Sequence, residues 1–247
     1  MASKILIDVG GYHGTSSLAG LDPRFGFDRI FCFEPSSEKQ ESISRIADSS
    51  LVIVRAGLSN RNGHAVLFNA GNLGASIYES APTAGDEGLG VKKNVALINA
   101  SDFLDLFTQL DDEVYIKLNC EGCEIDILQS LLNAISFPNI KNVLIDLDAL
   151  KNPSLAPRVK GVMEYVQLSG LSFFMPEQVQ YGMVTNFGGV RNWLIAAGAA
   201  ERGFFTRLSS LIFNVYVTLR FPECNGYHKM RLLRMFPFLS LFDRSRN

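Results

Sequence analysis

The 247-residue chain has little of what usually marks a metal centre or a stapled fold: one tryptophan, three histidines and four cysteines. Cys32, Cys120, Cys123 and Cys224 are too few and too scattered for a disulfide framework, so reduced thiols are expected. Cys120 and Cys123 have C-x-x-C spacing, which suits a redox pair or half of a zinc site, but no second C-x-x-C and no neighbouring histidine accompany them, and no metal site is expected. Charge of one sign is also lacking. The formal net charge of −2 gives no general reason to expect nucleic acid as a partner. Long apolar runs are missing too: the cleanest, 208–219, is too short to cross a bilayer. Asp8 interrupts any apolar leader, and Met1-Ala-Ser lacks the glycine that myristoylation requires, so the expectation is a cytoplasmic protein.

What is present begins at residues 5–14, Ile-Leu-Ile-Asp-Val-Gly-Gly-Tyr-His-Gly. This reads as a short buried strand that ends on an acidic residue and runs straight into a glycine turn, where a doubly wound α/β fold holds the polar end of a nucleotide-like cofactor. The next apparent strand, Arg-Ile-Phe-Cys-Phe-Glu over 29–34, closes on Glu34. A carboxylate about twenty residues beyond the turn can accept hydrogen bonds from both hydroxyls of a ribose. In G-x-G-x-x-G the second glycine lets the backbone approach a pyrophosphate; here Tyr12 stands in its place, which disfavours a dinucleotide.

Further along, the pattern predicts a helix over 36–47 and a strand over 51–54. Asn62-Gly63 marks a tight turn before a strand over 64–68. Residues 69–94 are rich in Gly, Ala, Ser and Asn without periodicity and are taken as a long loop, the candidate substrate lid. A strand over 95–98, a helix over 101–110, a strand over 114–118, a helix over 124–135 and a strand over 142–147 follow. Further elements lie near 159–168, 172–174 and 192–196. This alternation predicts a doubly wound, mostly parallel sheet with flanking helices. It defines one domain over 1–200 and a carboxyl-terminal extension over 201–247. The extension holds eight Lys/Arg against three Asp/Glu and leaves the remainder at −7. Its two apolar blocks, 204–221 and 230–242, carry basic residues such as Arg207, Arg231 and Arg234. Such a tail can lie on an anionic membrane, here the inner face, or pack on its own domain or on a second copy in a homodimer.

Four motifs in order, Asp8-Val-Gly-Gly-Tyr-His-Gly14, Phe33-Glu34-Pro35, Gly57-Leu-Ser-Asn-Arg-Asn-Gly63 and Lys117-Leu-Asn-Cys-Glu121-Gly-Cys-Glu124, resemble the FkbM-type methyltransferases over roughly residues 4–150. The resemblance implies a class I methyltransferase fold, Rossmann-like, with S-adenosylmethionine as donor. It further implies a hydroxyl acceptor, usually on a sugar or natural product. Asp8, Gly10, Tyr12, His13 and Gly14 would surround the cofactor's amino-acid end, with Thr15 and Ser16 opening the next helix. Glu34 and Ser36 would serve the ribose, and Leu58 and Ser59 the adenine.

The family segment normally reads Lys-x-Asp-x-Glu-Gly-x-Glu, and Asn119 replaces its Asp. An Asn can orient cofactor or acceptor but cannot take a proton. The candidates for the general base are therefore Glu121, whose other reading is a cap for the following helix, and His13, whose other reading is a turn residue that shields the cofactor and takes no proton. Either Asp146 or Asp148 is expected to anchor Lys117. Asn119 also leaves open a module of the same fold that binds cofactor without transferring a methyl. Base modification in nucleic acid would want a polar-Pro-Pro-aromatic segment where Asn119-Cys-Glu-Gly stands.

Overall fold

The computed structural model describes residues 2–46, 48–72, 74–79, 91–182, 185–201 and 203–221. The first half runs β1 (Lys4–Val9), α1 (Thr15–Gly20), β2 (Arg29–Phe33), α2 (Ser37–Ser44), β3 (Leu51–Val54), β4 (Gly57–Ser59), β5 (Gly63–Leu67), β6 (Lys93–Asn99) and α3 (Ala100–Phe107). The second half runs β7 (Glu113–Leu118), α4 (Glu124–Leu131), β8 (Ile140–Ile145), α5 (Ala156–Leu168), β9 (Phe173–Phe174), α6 (Pro176–Val179), α7 (Asn186–Ala196) and α8 (Phe204–Arg220). Six strands form one parallel sheet in the order β3-β2-β1-β7-β8-β9. The chain winds outward from β1 to β3, then returns to β7 on the other side of β1. Such a reversal opens a crevice at the carboxyl ends of the two central strands.

Alternation along the central strands divides the core. Ile5, Ile7 and Val9 of β1, with Val114, Ile116 and Leu118 of β7, pack beneath α3, α4 and α5. Leu6 and Tyr115 face the other way, against Leu18 of α1, Trp193 of α7 and Val217 of α8. Asp8 and Lys117 are in phase with Leu6 and Tyr115 and are direct register partners. Two charged side chains are thereby placed side by side under α1. Trp193, fully buried, donates its indole N–H to Asn142 Oδ1 at 2.6 Å.

The structure corrects the sequence reading in two places. The strand expected over 95–98 does not extend the main sheet. As β6 it forms a second sheet of order β4-β6-β5, parallel to β4 and antiparallel to β5. The Asn62-Gly63 turn therefore joins two strands that flank β6 instead of pairing with each other. Asn62 is used to hold this crossing: its Oδ1 accepts from the Asn99 N–H at 2.8 Å and its Nδ2 donates to Asp102 at 2.7 Å. Of the arrangements open to the extension, its described part packs on its own domain. Ser210, Val217 and Thr218 are buried, and Ser210 Oγ donates to the buried Asp22 at 2.9 Å beside Arg191. The expected block over 230–242 and Cys224 lie outside the described residues. Among the described residues no helix is long and apolar enough to cross a membrane.

Candidate active site

The crevice between β1 and β7 is a cleft walled by the glycine turn, the ends of β2 and β7, the small sheet and Tyr181 beyond α6. The turn is drawn tight because the N–H groups of Gly10 and Gly11 both donate to the Phe33 carbonyl, at 3.1 and 3.0 Å. Gly10 has φ of 79°, and a Cβ there would stand 1.8 Å from the Asn119 carbonyl oxygen. Backbone thus meets backbone across the crevice, and only glycine fits.

Glu34, 6% exposed, is fastened from both sides: Oε2 accepts from the Tyr12 N–H at 2.7 Å and Oε1 from the Ser36 N–H at 2.8 Å. Burial pushes its carboxyl above the usual range, against the pull of those two N–H groups. Tyr12, His13, Thr15, Ser16, Glu34, Ser36, Leu58, Asn119 and Glu121 all line the cleft, as does Gly10. The other expected residues have different places. Asp8 is wholly buried, 3.1 Å from Lys117 Nζ, and accepts from Ser17 Oγ at 2.7 Å. It faces Lys117 and α1, not the cleft, because strand alternation directs it there. Lys117 in turn donates to the carbonyls of Val9 and Gly10, at 3.1 and 2.8 Å. The anchor of Lys117 is therefore Asp8, neither Asp146 nor Asp148, and the pair supports the glycine turn from below. Gly14, at φ of 79°, packs on Ile43 and Ile46 of the neighbouring layer. Ser59 is buried with its hydroxyl toward Asn60 Oδ1, since β4 turns Leu58 into the cleft and Ser59 away.

At the β7 end, Asn119 Nδ2 donates to Asp146 Oδ2 and to the Tyr181 hydroxyl, each at 3.3 Å. Asn119 thus ties β7, β8 and the segment after α6 together. The task of capping the turn into α4 falls to Glu124: fully buried, it accepts from the N–H groups of Cys120 (2.9 Å), Gly122 (3.1 Å) and Ala149 (3.3 Å). Glu121 is left to face the cleft from a left-handed backbone, φ 56°. Burial and then Asp148 push its carboxyl up. His13, exposed, has Nδ1 3.2 Å from Ser42 Oγ and stands edge-on to Tyr12. Burial pushes the Cys120 thiol well up, the reverse of the low-pKa thiol of a redox pair.

The loop after β5 reaches this site. Residues 73 and 80–90 of the expected lid lie outside the described residues, but Ser76 bridges to Phe68 and its hydroxyl donates to the Glu121 carbonyl at 2.6 Å. Tyr78 donates its hydroxyl to Asp126 of α4, which Arg158 of α5 also holds at 2.7 Å. Ser76→Ala is expected to loosen the Glu121 turn by about 0.5–1.5 kcal/mol, one ordinary hydrogen bond. Tyr78→Phe should free the 74–79 strap without unfolding the domain. Amide hydrogen exchange checks both: faster exchange confined to 74–79 and 120–123, with an unchanged thermal midpoint for Tyr78→Phe.

Tyr181, Asn186, Lys39 and Ile77 also line the cleft and escaped the sequence reading. Lys39 stands 4.0 Å over the Tyr12 ring, which its position on α2 hints at. Nothing local marks Tyr181, whose place depends on how the chain returns from β9.

Fold and cleft together define a Rossmann-like doubly wound α/β protein of the class I methyltransferase type. The chain belongs to the FkbM methyltransferase family: the Methyltransferase FkbM domain model matches residues 8–205. Among solved structures, the methyltransferase FkbM of Methylobacillus flagellatus KT is similar at 18% identity and a TM-score of 0.35. That match covers 54% of this chain and 30% of the other. No curated protein matches the chain.

Proposed function

We propose that the protein is an S-adenosylmethionine-dependent O-methyltransferase acting on a hydroxyl of a saccharide, a glycan or glycolipid precursor, or a natural product. The observation that carries this reading is Glu34, a buried carboxylate held at the cleft wall by the Tyr12 and Ser36 N–H groups. The residues fit the cofactor: a carboxylate for ribose hydroxyls, a turn stripped of side chain at Gly10, and apolar Leu58, Ile77 and Leu97 for a purine. When bound, the cofactor supplies an electrophilic methyl carbon on sulfur. The chain supplies orientation, which alone is worth several kcal/mol, and a base. Asn119 takes no proton, and Glu121 is the base in this reading, with Asn119 and Tyr181 orienting the acceptor. His13, with Nδ1 3.2 Å from Ser42 Oγ on α2, is the second candidate for the base.

Calorimetry with S-adenosylmethionine and S-adenosylhomocysteine tests the cofactor, and Glu34→Ala should weaken binding by about 1–3 kcal/mol. Absence of binding to the wild type would sink the reading. Binding without release of S-adenosylhomocysteine over a panel of sugar and other hydroxyl acceptors would favour the inactive module that Asn119 suggests. The pH dependence has a definite sign. Glu34 is raised in the free protein, and ribose hydroxyls donate to its ionised form. Affinity should thus rise with pH through the Glu34 titration above the ordinary carboxylate range and then level off. Glu34→Gln should abolish that rise.

A further inference from the structure

The mechanism leaves one large feature unused, the outward side of α8. Ser210, Val217 and Thr218 fasten one side of this 17-residue helix to the domain. On the opposite side Leu208 (45% exposed), Leu211 (62%), Ile212 (62%) and Tyr216 (53%) form an exposed stripe at helical spacing, with Tyr216 meeting the Phe213 and Phe221 rings at its edge. At about 100° per residue, Arg207 and Arg220 fall on the two margins of that stripe, and both are exposed. The helix has no acidic residue. Residues 222–247 add five Lys/Arg against two Asp/Glu, although the chain as a whole is at −2. Along α8 itself, exposed Arg207 and Arg220 therefore accompany an exposed apolar stripe.

We propose that the outward face of α8 is a docking surface for an anionic lipid bilayer, with the helix lying in the plane of the interface. The arrangement, an apolar stripe with cations on both borders, is what an interfacial helix presents to acyl chains and headgroups at once. Self-pairing through this stripe fits less well, since it would bring two arginines from each copy to one seam without an acidic residue of the helix to meet them. One stripe on a helix of roughly 25 Å also falls well short of the roughly 800 Å² per partner of a stable interface.

The test is co-sedimentation of the full chain with vesicles of mixed phosphatidylcholine and phosphatidylglycerol, and of phosphatidylcholine alone, at low and high salt. Binding to the anionic vesicles, weakened by salt, is expected. The double variant Leu211→Glu/Ile212→Glu should lose about tenfold or more in partition, and Arg207→Gln/Arg220→Gln should lose mainly the salt-sensitive part. Leu106→Glu, at an exposed apolar site on α3, is the control and should bind like the wild type. An unchanged thermal midpoint shows that each variant is folded. Three outcomes would overturn the proposal: no vesicle binding by the wild type, binding undiminished in Leu211→Glu/Ile212→Glu, or a dimer in sedimentation velocity that this variant dissolves while vesicles are ignored. None of these readouts depends on methyl transfer.

Discussion

Lys117→Met is expected to cost about 3–5 kcal/mol of folding stability, the usual loss when one member of a buried ion pair is removed. Asp8 is fully buried and its companion donors, Ser17 and the weakly bonded thiol of Cys32, are neutral. Without the ammonium it becomes an uncompensated charge in the core, and the carbonyls of Val9 and Gly10 lose their donor. Chemical denaturation measures the loss. The double variant Asp8→Asn/Lys117→Met should recover much of it, because no charge is then left behind; if it is as unstable as the single variant, the ion pair is not the cause. The pH dependence separates this pair from the cleft carboxylates. Burial disfavours the ammonium, yet the Asp8 carboxylate beside it holds Lys117 above the ordinary lysine range. A group raised in the folded state stabilises fully below its unfolded pKa and loses that effect only as pH climbs through the folded one. The contribution of Lys117 should therefore be constant across neutral pH and fail only in strong alkali.

The same pair shows what could be read from the sequence. The strands carrying Asp8 and Lys117, the glycine turn and Glu34 were all visible as short apolar runs ending in turn or acidic residues, because those signals are local. That Asp8 faces Lys117 was not visible, since it requires knowing that β1 and β7 are neighbours and in which register. The alternation alone was informative: Asp8 is in phase with Leu6, not with Ile5, Ile7 and Val9, and an acidic residue on a core face wants a partner. The small sheet was missed for a related reason. Asn62-Gly63 is a sound hairpin signal, but a non-local strand, β6, took the place between its two arms. Tyr181 and Ile77 reach the cleft through long connections that no periodicity describes.

Glu121 and Glu124, three residues apart in one motif, are expected to fail in different ways when each is changed to Gln. Glu124 collects N–H groups from Cys120, Gly122 and Ala149. A glutamine amide turned toward them would oppose donor to donor, at about 1–3 kcal/mol for each N–H left unsatisfied in the interior. Glu124→Gln should thus melt earlier and lose cofactor affinity as the Asn119–Cys123 turn relaxes. Among the described residues Glu121 receives no such bonds at its carboxyl, and it lines the cleft. Glu121→Gln should keep the wild-type melting midpoint and cofactor affinity while kcat falls about 10²–10⁴-fold, the contribution of a positioned base. A Gln variant at 121 with full turnover would remove Glu121 from the mechanism and make His13→Asn the next enzyme to assay. Glu121→Gly sharpens the distinction. Its left-handed backbone, held by the Ser76 hydroxyl, carries strain that glycine relieves, so this variant should be at least as stable as the wild type and equally slow. Stability retained while rate is lost is the pattern of a residue kept in a strained conformation for chemistry, and a turn residue serving only the fold would show the reverse.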